Sequence, residues 1–272
     1  MSSLIGERSA TETGWDPGPQ NSPLGLSLSF PGYSAVVFVH DNRTFSVVLI
    51  YDGDDIRLRE LRHPTLFETT VNAIPLLRDW IEPARCEPIT RVLPGGMLYN
   101  TYCGQLDEDG RPALPGMISI GDSVCTTTPL AGRGVALAFV QSRGLLWTLD
   151  QHGRDYEACA VAFDDWCSES IRPWFDDHVH TDAERLRRWA GQDVDLAHPL
   201  PSDLIVAAAD KDPALRPLVA GYVTMDALPA SLSFAEPRAR QIYAAGWRPP
   251  IPAGPSLDDL AARCVDEARG VA

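Results

Sequence analysis

The stretch that decides the fold runs from Met117 to Trp147 and reads MISIGDSVCTTTPLAGRGVALAFVQSRGLLW. Its opening apolar run, Met117–Ile120, predicts a short buried strand. A loop of small and hydroxyl-bearing residues follows and closes with GRG at 132–134. From Val135 to Leu149 the composition predicts a helix that is apolar on most of its faces and therefore buried. The stretch thus predicts a strand, a glycine-containing loop and a helix.

The loop has the chemistry of a ligand-binding turn. Glycines at the start of a helix let backbone N–H groups approach a ligand closely, and the helix N-terminus carries about half a positive charge. Asp122, at the end of the predicted strand, is placed to accept hydrogen bonds from sugar-type hydroxyls. Together these features suit a cofactor that has a polyol arm and an anionic or electron-accepting ring.

This arrangement resembles the second flavin motif of FAD-dependent aromatic hydroxylases, the p-hydroxybenzoate hydroxylase-like oxidoreductases. In that motif a G-D-A sequence is followed by a loop with proline, then by G-x-G and a helix. The residues that match it are Gly121, Asp122, Ser123, Pro129, Gly132, Gly134 and Ala138. The resemblance implies an FAD-dependent oxidoreductase of the monooxygenase type. The cofactor-binding residues that it implies are Gly121, Asp122, Pro129, Leu130, Gly132 and Gly134.

The family gives each part of the motif a place around the flavin. The resemblance implies that Asp122 binds the ribityl chain and that Pro129 and Leu130 pack beside the isoalloxazine ring. It also implies that Gly132 and Gly134, at the helix start, face the pyrimidine edge of that ring. These roles are implied by the resemblance alone, because neither the spacing nor the composition of the residues assigns them.

The sequence departs from the family pattern while the spacing stays intact. Ser123–Cys125 stands where relatives often have Ala-Ala-His, and Thr128 and Ala136 stand where asparagine is common. Cys125 is interpreted as a small packing residue, with an active-site role as the alternative. Arg133 is interpreted as a surface residue, and a role facing a phosphate or a reduced nicotinamide cofactor, NAD(P)H, stays open. No catalytic acid or base is predicted.

The family's N-terminal nucleotide-binding unit, a strand, a G-x-G-x-x-G turn and a helix that hold the ADP half of FAD, has no counterpart in the sequence. The resemblance covers residues 31–149 well and the C-terminal helices more loosely, so we expect a chain truncated at its N-terminus. One face of Met117–Ile120 and of the following helix should then be apolar and exposed. Three explanations stay open for the missing unit. The chain is a fragment of a longer reading frame, it pairs with a separate chain that carries the nucleotide-binding domain, or it has lost flavin binding.

Composition and short sequence patterns argue against several other classes of protein. The chain has 272 residues and a formal net charge of −14, which disfavours a nucleic-acid-binding surface. No apolar run approaches the roughly 18 residues of a membrane span, and no signal peptide is visible. Six cysteines without a C-x-x-C pair indicate free thiols in a reducing cytoplasm. The sequence His178-Val179-His180 lacks a clear third ligand, so no metal site is predicted.

The predicted fold class is α+β, as a remnant of the family's α/β architecture. Residues 1–23 are predicted to be a flexible leader, and residues 24–110 a substrate-binding antiparallel sheet with one helix. Residues 111–150 are the predicted FAD-domain segment, and residues 151–272 a helical C-terminal region.

Three local patterns support this division. Two β-branched runs on either side of residues 40–43 predict a hairpin. Apolar residues at three- and four-residue spacing over 65–81 predict an amphipathic helix, kinked at Pro75. Ser256, followed by two aspartates, predicts the start of a last helix.

Two classes of function stay open. The first is hydroxylation or epoxidation of an apolar or aromatic small molecule by bound FAD, with NAD(P)H as the electron donor. The second is a non-catalytic fragment or subunit that binds a partner chain. The missing nucleotide-binding unit favours the second class. The intact pattern at 121–134 favours the first, because an unused site need not keep that combination.

Overall fold

The computed structural model describes residues 2–8, 27–40, 42–96 and 99–270, and the side chains of 27–40, 42–96 and 99–266. The strands are β1 (Ser2–Arg8), β2 (Ser27–Phe30), β3 (Tyr33–Val39), β4 (Thr44–Tyr51), β5 (Cys86–Pro88), β6 (Leu93–Pro94), β7 (Thr101–Tyr102) and β8 (Cys125–Thr126). The helices are α1 (Pro64–Asn72), α2 (Pro75–Arg78), α3 (Gly134–His152), α4 (Tyr156–Ser170), α5 (Arg172–Trp189), α6 (Ser202–Lys211), α7 (Arg216–Val223), α8 (Glu236–Ala244) and α9 (Leu257–Gly270). Helices combined with small antiparallel sheets confirm the predicted α+β class.

The first of two compact units contains the chain up to residue 97 together with 186–193 and 250–272. Its antiparallel sheet has the strand order β2-β3-β4-β1-β5, and β6 also pairs with β1. β3 and β4 form the predicted hairpin, in which Tyr33 lies opposite Tyr51 and Val39 opposite Phe45. This pairing confirms the hairpin that the β-branched runs predicted.

The helix predicted over 65–81 is two helices in the structure. α1 ends at Asn72 and α2 begins at Pro75, because proline has no N–H to continue the helical ladder and its ring clashes with the preceding turn. The break replaces the predicted kink, but the predicted apolar positions are all buried. They are Phe67, Val71, Ile74, Leu77 and Ile81.

The strand β1 differs from the flexible leader predicted for residues 1–23. Ser2–Arg8 lies between β4 and β5 and pairs antiparallel with both. The prediction rested on composition, which does not register that two strands elsewhere in the chain offer unpaired backbone groups to this segment. The rest of the predicted leader, residues 9–23, lies outside the described residues.

α9 belongs to the sheet unit and not with the other C-terminal helices. Leu260 and Cys264 are part of the same buried cluster as the sheet residues. The predicted start is correct, because Ser256 Oγ accepts a hydrogen bond from Asp259 N over 3.1 Å and Asp259 Oδ2 accepts one from Ser256 N over 3.0 Å. The predicted region 151–272 is thus divided between two units, since the apolar face of α9 is buried against the sheet unit.

The second unit contains residues 98–185 and 194–249. It holds the two-stranded β7–β8 sheet and the helices from α3 to α8, apart from the last residues of α5. Its core is a single buried cluster that includes Leu137, Phe163, Trp174, Tyr222 and Tyr243. The predicted boundary between 110 and 111 falls inside this unit, so the loop that the sequence singled out shares a unit with the helices that follow it in the chain.

Candidate functional site

The loop from Asp122 to Gly134 is shaped by two short 3₁₀ turns, Gly121–Ser123 and Pro129–Ala131. Gly132 then has φ 67° and ψ 21°, a left-handed conformation that glycine adopts without the steric cost of a Cβ. α3 begins two residues later. Glycine is therefore favoured at position 132, because the left-handed backbone there turns the chain into α3.

The start of α3 lies beside the Asp122 carboxylate. A Cβ built on Gly134 would lie 4.0 Å from Asp122 Oδ1, and one built on Gly121 would lie 3.7 Å from Ala138 Cβ. Asp122 is exposed, and no side chain caps the N-terminus of α3. The structure therefore brings together an exposed carboxylate and the first N–H groups of a long helix, which have no partner within the helix.

Met117–Ile120 pairs with no strand among the described residues, and both of its end residues are exposed, so the predicted buried strand is wrong. Gln105 takes the place of a neighbouring strand. Its Nε2 donates to Ser119 O over 2.7 Å, and its Oε1 accepts from Ser119 N over 2.8 Å. Gln141 Oε1 accepts from Gly121 N over 2.7 Å. Two buried glutamines, which no sequence pattern singled out, hold the segment that leads into the loop.

The proline turn of the loop is tied to α5 through Thr128. Thr128 Oγ1 donates to Asp182 Oδ2 over 2.5 Å, and Thr128 N donates to Asn100 Oδ1 over 2.8 Å. Asn100 Nδ2 donates to the same Asp182 oxygen over 2.8 Å, and Arg185 pairs with Asp182. The loop is therefore attached at this end by a carboxylate whose charge is matched by an arginine.

The other end of the loop is tied to α5 and α7 through Arg133. Its Nη1 donates to Tyr222 Oη over 2.8 Å and lies 3.4 Å from Asp177 Oδ2. The guanidinium carbon is 4.7 Å from the centroid of the Trp174 ring and 4.1 Å from that of Tyr222. Only 11% of the Arg133 side chain is exposed. The interpretation of Arg133 as a surface residue is therefore wrong.

Cys125 is packed inside the second unit, with 2% of its surface exposed. Burial, followed by the nearby Asp122 carboxylate, raises the pKa of the Cys125 thiol to about 11. Since the thiolate is the reactive form of cysteine, this thiol is a poor nucleophile at neutral pH. Both observations support the packing interpretation of Cys125.

α5 places His178 and His180 on different faces, because residues two apart on a helix point about 200° apart. His178 is 3% exposed, and its Nε2 has no hydrogen-bond partner among the side chains that the structure describes. Burial, followed by the charge of Arg133, lowers the pKa of the His178 imidazole below its ordinary value. In the described part of the chain, no three histidine, cysteine or acidic residues are grouped as metal ligands would be.

α3 is not buried on most of its faces, contrary to the prediction from its composition. It carries an exposed apolar stripe, the α3 stripe, which consists of Val135, Phe139, Leu146 and Trp147, with 72, 73, 65 and 57% of their surface exposed. Met117 and Ile120 are also exposed, at 54 and 38%. The exposed apolar surface that the sequence predicted for these two segments is therefore confirmed. None of the described helices is long and apolar enough to cross a membrane.

Comparison with known proteins identifies the fold. No family model and no curated protein matches the sequence. The solved structure of the flavin-dependent brominase Bmp2 matches 90% of this chain and 56% of its own, with a TM-score of 0.54 at 14% identity. CmlS, a flavin-dependent halogenase, matches 99% of this chain and 44% of its own, with a TM-score of 0.52 at 16% identity.

A third solved structure, PqsL, a probable FAD-dependent monooxygenase from Pseudomonas aeruginosa, matches 70% of this chain and 50% of its own with a TM-score of 0.42 at 16% identity. The chain spans about half the length of the proteins that it matches. Its fold is like the corresponding part of the brominase and of the halogenase.

Proposed function

We propose that this chain binds the flavin part of FAD at the loop between Asp122 and Gly134, and that it acts as a flavin-dependent oxidoreductase. One observation carries the proposal: the exposed Asp122 carboxylate lies beside the uncapped N-terminus of α3, directly after the left-handed turn at Gly132. Backbone donors and a carboxylate acceptor so close together suit a ligand that has both hydroxyls and an electron-rich ring edge. The likeness to two flavin-dependent enzymes supports the same choice.

The residues of the loop fit a flavin. Asp122 would accept hydrogen bonds from the ribityl hydroxyls, and Pro129 and Leu130 would pack against the isoalloxazine ring. The first N–H groups of α3 would face the pyrimidine edge. A Cβ at Gly132 would meet no atom within 4 Å, so the space in front of this turn is open to a ligand.

Bound FAD would supply the redox chemistry, and the chain would supply binding and orientation. The proposed reaction is hydroxylation or epoxidation of an apolar or aromatic small molecule, and the brominase and halogenase likeness adds halogenation to these candidates. NAD(P)H is the proposed electron donor. The antiparallel sheet unit is the proposed substrate-binding part.

The test is an absorption spectrum of the purified chain after incubation with FAD and desalting. A retained flavin band near roughly 450 nm is expected. Asp122→Asn should weaken FAD binding by about tenfold or more, because the hydroxyls then donate to a neutral amide oxygen instead of a charged carboxylate. Asp150→Asn, which removes an exposed carboxylate near the other end of α3, is the matched control. A colourless folded chain, or equal affinity in both variants, would refute the proposal.

The second candidate is a fragment or subunit that binds a partner chain carrying a nucleotide-binding domain. The α3 stripe favours it, because apolar surface of this extent is a hallmark of interfaces. Phe139→Ser with Trp147→Ser should abolish binding to such a partner and leave the fold unchanged by circular dichroism. FAD binding that appears only when an α/β nucleotide-binding chain is added would favour this candidate over the first.

A further inference from the structure

Arg133 stands in the middle of the turn that leads into α3, and its side chain points into the second unit. The guanidinium lies against two stacked rings, those of Trp174 and Tyr222, whose centroids are 5.5 Å apart. A cation against aromatic faces in a partly desolvated site is held more firmly than one in water. The side chain therefore fixes its own backbone, which is the backbone of the loop.

The Arg133 charge is balanced inside the protein by Asp177. The Tyr222 hydroxyl donates to Asp177 Oδ2 over 2.7 Å and accepts from Arg133 over 2.8 Å, so it links the two charges. Ser202 Oγ donates to the same carboxylate oxygen over 3.2 Å, and Thr181 Oγ1 lies 3.0 Å from Ser202 Oγ. Because each member is satisfied by another, removing one partner would leave a charge poorly compensated.

The same residue is the N-cap of α3, directly before its first helical residue. Leu137 N donates to Arg133 O over 2.9 Å, which is the first hydrogen bond of the helix. No side chain caps this N-terminus, so the usual device that fixes a first turn is absent from the described residues here. The side chain of Arg133 ties this uncapped first turn to Asp177 on α5 and Tyr222 on α7.

We infer that Arg133 is a positioning residue, which aims the first N–H groups of α3 at the flavin without touching the flavin itself. The inference rests on the proposed function for the identity of the ligand. It replaces the open alternative in which Arg133 faces a phosphate or a nicotinamide cofactor. It also predicts that loss of Arg133 weakens the binding of riboflavin, FMN and FAD alike, whereas loss of a phosphate-binding arginine would spare riboflavin.

The first measurement needs no ligand. Hydrogen exchange of the amides from Leu137 to Val140 should be about tenfold faster in Arg133→Gln than in the parent chain, because loss of the anchor lets the first turn open. Arg143→Gln is the matched control, since it removes the same charge from an exposed position of the same helix. Unchanged exchange in Arg133→Gln would overturn the inference, whether or not the chain binds flavin.

The second measurement separates positioning from contact. Dissociation constants for riboflavin, FMN and FAD should all rise by a similar factor, about tenfold, in Arg133→Gln. An arginine that bound phosphate would weaken FMN and FAD and leave riboflavin unchanged. That selective loss would overturn the inference while leaving the proposed flavin site intact. A parent chain that binds none of the three flavins would refute the proposed function, and the exchange measurement would still decide the role of Arg133.

Tyr222→Phe is a milder second variant, which tests the same network even if Arg133→Gln does not fold. It removes only the hydroxyl that links Arg133 to Asp177 and keeps the ring against the guanidinium. Exchange at Leu137–Val140 should rise in this variant too, by a smaller factor than in Arg133→Gln. Arg133→Lys keeps the charge and should restore part of the protection. If both variants match the parent chain, the linked network does not position the turn.

Discussion

Gly144→Ala should destabilise the second unit, although alanine is the better helix former. A Cβ at Gly144 would lie 2.5, 2.6 and 2.7 Å from Cζ3, Cη2 and Cε3 of Trp166. Real Cβ atoms do not approach other atoms so closely, so either the ring or the helix must shift. The ring is stacked on the fully buried Phe163, with centroids 5.8 Å apart and planes 8° apart, which limits its freedom to move.

Two effects of opposite sign set the magnitude. Replacing glycine by alanine inside a helix stabilises it by about 1 kcal/mol. Forcing an extra methyl into a packed contact costs about 1–3 kcal/mol, and three simultaneous short contacts with one ring place this case at the upper end. The net loss in the free energy of unfolding should therefore be about 2 kcal/mol.

Urea unfolding followed by far-ultraviolet circular dichroism measures this loss, and the midpoint should fall by about 1 M. Ser142→Ala, at a half-buried position of the same helix, is the control and should change the midpoint little. In a Trp166→Leu background the cost of Gly144→Ala should largely vanish. A variant Gly144→Ala that is as stable as the parent chain, or an equal loss in both backgrounds, would refute the reasoning.

Two further predictions concern the loop and the cysteines. Gln141→Leu should lower the free energy of unfolding by about 1–3 kcal/mol, because Gly121 N–H loses its acceptor in a buried site; an unchanged urea midpoint would contradict this. Cys103 is exposed and should react with a maleimide long before Cys125, as peptide mapping at pH 8 would show. Burial raises the pKa of the Cys125 thiol to about 11 in the folded chain. The contribution of this thiol to the free energy of unfolding is therefore fully present below the ordinary cysteine pKa, and it is lost as the pH rises towards 11. Labelling of Cys125 before Cys103 in the folded chain would be the contrary result.

The positions of chain reversals and helix ends followed from the sequence. Pro75 interrupts the helical pattern, and Ser256 starts the last helix. These features depend on the covalent structure of one residue and on its immediate neighbours in the chain. For that reason a single sequence was enough to predict them.

The strand predicted at Met117–Ile120 and the burial predicted for α3 failed for a common reason. A strand exists only where a second backbone pairs with it, and burial requires a partner surface. In the described part of the chain, Gln105 takes the pairing role and the α3 stripe faces no protein. Apolar composition identified the segments that require a pairing strand or a packing surface. It carries no information on whether that strand or surface is present.

The role of Arg133 shows what tertiary structure alone decides. The sequence by itself determined where the loop lies, which glycines shape it and which carboxylate stands beside it, because these residues are close together in the chain. It could not determine that the arginine between the glycines turns inward. That direction depends on Trp174, Asp177 and Tyr222, which lie 41, 44 and 89 residues further along and reach the loop only once α5 and α7 have packed into the second unit.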